Sequence, residues 1–182
     1  MDSPVSFNGR RKYLNQFQRS ASGEFVYCGN LYLYSDTAIT RRRTLTSYWI
    51  SAVLMLAASV AQGFLPADGM LSCVYVILPF IAGLLCAVSS VWALVKLTAS
   101  KDPLREYIFA STVQALPVRA GFTLIFAGLS IIGECVFLLA NGTSDNNMTF
   151  LLFALMLTET ASALFLRKQS KVCRWTLLKR TE

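Results

Sequence analysis

The sequence predicts an all-α membrane protein. Four transmembrane helices form two antiparallel hairpins with both termini in the cytoplasm. A short β-hairpin-like segment precedes them, and an interfacial helix separates the second from the third. Three observations lead there. Of 182 residues, 54% are hydrophobic and only 15% are charged, against about 25% charged in an ordinary soluble domain. The apolar residues are gathered into four long blocks instead of being broken every few positions by polar ones. The cations occupy alternate connections only.

The blocks run Thr44–Leu65, Gly69–Leu97, Ala120–Ala140 and Met148–Leu166. A hydrocarbon core of about 30 Å needs about 20 helical residues at about 1.5 Å rise each, so each block is long enough to cross. Strands of a membrane barrel would alternate apolar and polar; these blocks are apolar on every side, which selects helices.

Seven of the seventeen Lys and Arg residues precede the first block, four lie between Lys96 and Arg119, and six follow the fourth block. Residues 66–68 and 141–147 carry none. This is the positive-inside pattern, and it orients the chain with both ends in the cytoplasm. Arg41, Arg42, Arg43, Lys171 and Arg174 are the expected contacts to anionic headgroups at that face. The basic balance thereby has a membrane explanation, and nucleic acid is not an expected partner. Polar residues 1–40 and the length of the first block argue against a cleaved signal peptide. Small size and minimal outer loops point to a bacterial plasma membrane.

Residues 1–43 read as a cytoplasmic segment. Within it Phe25–Cys28 and Leu31–Tyr34 flank Gly29-Asn30, a hairpin signal over 25–34. Its aromatics suit a cover packed on the cytoplasmic face of the protein. Tyr48, Trp49 and Trp92 lie near inner helix ends, where amphipathic rings favour the interface. Gly63 and Pro66 close the first helix. Pro79 lies inside the second, and its missing amide hydrogen predicts a kink. Residues 102–116 read as the interfacial helix, with Asp102 as N-cap, Pro103 at its first position and Pro117 ending it. Residues 167–182 form a basic tail. Val172, Trp175 and Leu178 give it one apolar face, which suits a helix on the inner leaflet, or else a continuation of the fourth helix.

Chemistry is sparse. The chain has no histidine, which removes histidine-dependent nucleophilic and metal sites. No phosphate-binding glycine loop occurs, and no cofactor is expected. The five cysteines show no CxxC spacing. Cys28 and Cys173 are expected as free thiols. Cys73 and Cys135 lie near outer helix ends, where a disulfide is geometrically allowed, although two buried thiols are the simpler expectation. The sequons at Asn141 and Asn147 are common by chance.

Two acids stand out. Glu134 lies in the third block and Glu159 in the fourth, and the only Lys or Arg in any block is Lys96, at the inner end of the second. Ala127, Ser130 and Glu134 share one helical face. Ala154, Thr158 and Ser162 form a small-residue ridge with Glu159 beside it. Small residues allow close helix approach and hydroxyls can bond across it. Low dielectric disfavours an unpaired carboxylate, and a neutral acid can donate a hydrogen bond. Glu134 lies about 9 Å and Glu159 about 16 Å below the outer end, too far apart to share a proton. The preferred expectation is that they hold helices three and four in register. The protein is then a non-catalytic accessory or scaffold, acting with a membrane partner or as a homo-oligomer. The alternative is a proton- or cation-coupled transporter or channel. An enzyme is not expected.

Overall fold

A computed structural model describes residues 17–19, 25–27, 29–35, 37–65, 73–142, 146–172 and 175–178. Four long helices dominate it: α1 (Ala38–Gly63), α2 (Val74–Ala99), α4 (Leu116–Asn141) and α5 (Asn146–Lys171). Each is long and apolar enough to cross a membrane. α1 packs on α2 and α5, and α4 packs on α2 and α5. The result is a ring in which chain neighbours are spatial neighbours, as short antiparallel connections require.

Burial in all four helices follows a 4-3 spacing. The buried series are Tyr48, Ala52, Met55, Ser59, Gln62 on α1; Gly83, Ala87, Ser90, Leu94, Leu97 on α2; Leu116, Ala120, Thr123, Ala127, Ser130, Glu134 on α4; and Leu152, Met156, Glu159, Ala163, Leu166, Ser170 on α5. This is the seam of knobs-into-holes packing. Many of the seam residues are small or hydroxylic, while large apolar side chains such as Ile50, Leu78, Leu85, Ile125, Ile132 and Leu157 point outward. A water-soluble bundle reverses that distribution; lipid permits it, because close backbone approach and dispersion hold helices together there. Gly133 shows how tight the fit is: a Cβ there would lie 3.2 Å from both the Tyr75 carbonyl oxygen and Val76 Cγ2.

The helices outrun the apolar blocks at the basic end. Thr37 caps α1, its hydroxyl accepting from the Thr40 amide at 3.4 Å. Thr40–Arg43 are therefore helical and project past the apolar stretch. Tyr48 is buried and donates to the Gln169 carbonyl at 3.1 Å, while Ser47 donates to Gln169 Oε1 at 2.9 Å. Tyr48 thus ties α1 to α5, whereas Trp92 is exposed, with Lys96 Nζ 5.6 Å from its ring centre.

A small sheet sits at that end, and it corrects the expected hairpin. β1 (Phe17–Arg19) pairs with β2 (Phe25–Tyr27), whereas β3 (Leu31–Tyr34) lies between β4 (Leu104–Arg105) and β5 (Trp175–Leu178). Both strands flanking Gly29-Asn30 exist, but they pair with other partners. The Glu106 amide explains part of this. It donates to the Asn30 carbonyl at 3.1 Å and to the Tyr27 hydroxyl at 3.0 Å, occupying the turn. Burial raises the Tyr27 phenol above its ordinary value, so the hydroxyl keeps its proton while accepting that amide.

The segment expected as an interfacial helix over 102–116 is also rearranged. Asp102 caps nothing; it pairs with Arg41 Nη1 at 3.1 Å. Leu104 is fully buried in β4, and the helix starts only at α3 (Glu106–Phe109). A π-helical turn, Ala110–Gln114, then leads into α4, with Pro117 in its first turn. Proline supplies no amide hydrogen and normally ends a helix it cannot bond into. Here the wider turn just before it lets the helix run on. The tail differs likewise. α5 extends to Lys171, and Trp175–Leu178 is a strand against β3, in register Tyr34↔Trp175 to Leu31↔Leu178. Trp175 meets Tyr34 edge-on at 5.2 Å, with the Arg41 guanidinium 5.7 Å from its ring. Tyr32 stacks on Phe109 at 4.0 Å. These contacts draw the tail onto the bundle as a strand.

Cys73 and Cys135 are both free. Cys28, Cys173 and Arg174, and residues 66–68 of the connection between α1 and α2, lie outside the described residues.

Candidate functional site

Glu159 occupies the middle of the α5 seam, with Met156 before it and Ala163 after it. Its carboxyl group is where the four helices meet. Gln62 of α1 donates from Nε2 to Oε2 at 2.8 Å. Ser59, three residues earlier on the same face of α1, is buried as well, and its hydroxyl donates to the Met55 carbonyl at 3.0 Å. On α2, Gly83 supplies the room: a Cβ there would stand 3.8 Å from Oε1. Ala127 and Ser130 of α4 close the fourth side, with Pro79 and Phe80 of α2.

The interstice between these residues has no room for a water molecule. Ser130 Oγ is buried there and bonds to nothing among the described residues. An apolar cluster of Val76, Leu152 and Met156 seals one side. A larger cluster that includes Met55, Ala87, Leu94, Ala163 and Leu166 seals the other. The polar layer is therefore dry, flanked by apolar packing along the bundle axis. In such surroundings an amide-to-carboxyl bond is strong and its loss is costly.

The other expected residues divide. Ser162 is buried one turn from Glu159. Thr158 faces outward and returns its hydroxyl to the Ala154 carbonyl at 2.8 Å, so the small-residue ridge is not one surface. Glu134 is buried beside Gly133, on the part of α4 that abuts Tyr75 and Val76 of α2. It does not line the space around Glu159. The two acids sit in separate layers. Pro79 lies inside an α2 that is helical from Val74 to Ala99.

The residue that sequence reasoning overlooked is Gln62. A signal was present: it is the one amide in its apolar block, three residues after Ser59 and on the same face.

At the basic end, Arg41 is engaged by Asp102 and Trp175 and is half-buried, while Arg42, Arg43 and Lys171 are exposed. Arg119 reaches the Ser89 carbonyl of α2 at 2.6 Å. Among the described residues no three of Cys, Asp and Glu converge as a metal site would need. Comparison with protein families, curated proteins and solved structures finds no match. The geometry alone carries the functional reading.

Proposed function

We propose that this chain is a non-catalytic accessory or assembly component of a bacterial plasma membrane. It crosses four times, with both termini and the sheet in the cytoplasm and the exposed cations against anionic headgroups. It works through lateral contact with a membrane partner or further copies of itself. The positive-inside distribution supports the orientation. The observation that carries the functional reading is the dry contact at Glu159. A coupling acid must exchange its proton or cation with water at some stage. This one is held by Gln62 across α1 and α5, with no room for water beside it. That arrangement suits a residue that sets helix register.

The test is a pair of substitutions at each acid in the full chain, reconstituted in proteoliposomes. Glu159→Gln keeps hydrogen bonding and removes titration; Glu159→Leu removes both. The expected result is no proton- or cation-driven flux in the parent, retained thermal stability in Gln variants, and loss of stability in Glu159→Leu. A flux in the parent that disappears in Glu159→Gln or Glu134→Gln, with the fold intact, would make the chain a transporter or channel instead.

A further inference from the structure

The basic end holds a second feature, independent of the Glu159 layer. Between β3, the first turns of α1 and the last turn of α2 lies a cavity of about 560 Å³. That is within the usual range of small-molecule sites, about 300–1,000 Å³. Its wall is divided by chemistry. Arg41, Arg42, Thr46 and Thr98 supply polar groups, whereas Leu45 and Trp49 extend the wall along α1 into the apolar stretch. The cavity therefore joins a cationic mouth to an apolar body.

The cationic part is under-used by the protein itself. A guanidinium carries five N–H donors in a fixed fork. Arg41 gives Nη1 to Asp102, but its Nε is buried with no partner among the described residues. Arg42, one residue on, lines the same cavity and makes no ion pair among the described residues. Among the described residues Asp102 is the only acid in the wall, and their side chains carry one positive charge in excess. An anion with at least two acceptor oxygens would meet Arg42 and the part of the Arg41 guanidinium that lines the cavity.

We propose that this cavity binds one anionic amphiphile, its phosphate or carboxylate head on Arg41 and Arg42 and its apolar part along Leu45 and Trp49. A phospholipid from the surrounding leaflet and a soluble fatty acid share that chemistry, and the experiment separates them.

The full-length chain in a neutral detergent is analysed by native mass spectrometry with phosphatidylglycerol, phosphatidylcholine of the same acyl chains, or a free fatty acid. One phosphatidylglycerol per chain is expected, about tenfold tighter than phosphatidylcholine. Arg42→Gln should remove that preference, and Lys168→Gln, an exposed cation at the same end, should leave it intact. Fatty acid binding with the same Arg42 dependence but tighter than phosphatidylglycerol assigns the site to a soluble ligand. Should Arg42→Gln fail to fold, Leu45→Trp, which fills the cavity from α1, is expected to give the same loss. Equal binding of both phospholipids, or equal losses from Arg42→Gln and Lys168→Gln, overturns the proposal and leaves only diffuse surface attraction.

Discussion

At the scale of single residues, the bundle depends on polar pairs and missing side chains. Replacing Glu159 with Leu leaves the Gln62 amide buried with its acceptor gone, at a cost of about 1–3 kcal/mol. Replacing both Gln62 and Glu159 with Leu removes donor and acceptor together and should recover part of that loss. Thermal melts of the two singles and the double in one detergent give the coupling, about 1 kcal/mol for a hydrogen bond in a membrane bundle. Additive losses would mean that the 2.8 Å contact contributes nothing of its own. Glycines separate by the same reasoning. Gly133→Ala brings a methyl to 3.2 Å from the Tyr75 carbonyl oxygen and Val76 Cγ2, closer than ordinary contact, and should cost about 1–3 kcal/mol. Gly128→Ala meets nothing within 4 Å, so it should be neutral or better, since alanine fixes less backbone entropy in a helix. Equal melting shifts for the two would refute the close approach at Gly133.

At the scale of elements, the helices were legible because their cause is local in sequence: a run of apolar residues long enough to cross, punctuated by glycine, proline and charge. The sheet was legible only in part. Phe25–Tyr27 and Leu31–Tyr34 have strand-forming composition, but strand pairing is a tertiary choice that a turn signal at Gly29-Asn30 does not decide. β5 was harder still. Val172, Trp175 and Leu178 also fit a helical face, and only the presence of Tyr34 and Arg41 opposite Trp175 makes the strand the better use of those side chains. Pro117 misled for a related reason, because the π-turn that accommodates it has no sequence signature. Glu159 was legible as an anomaly; its partner Gln62 was not, since nothing in one helix specifies its neighbour across a ring. The β3–β5 register has a direct check. In a background without the five native cysteines, Leu33→Cys and Thr176→Cys are opposite each other and should cross-link under mild oxidation. A tail that lay on the leaflet as a helix would leave the pair uncoupled.

At the scale of the whole molecule, bulk faces outward and small polar residues face inward, with every Lys and Arg of the four long helices at the sheet end. With the proposed orientation, an impermeant thiol reagent applied to intact cells should tag Asn141→Cys, at the exposed C-terminal end of α4, and spare Arg43→Cys. Tagging of Arg43→Cys from outside would invert the proposed orientation. The sheet also has an order in time. β3 is made before α1, β4 after α2, and β5 only after α5. Until the ribosome has delivered all four helices, β3 lacks its second neighbour and offers an open edge. A chain stalled before Trp175 would keep that edge bare, ready to borrow the final strand of a finished sibling. Closure of the sheet thus waits on a segment made after all four long helices.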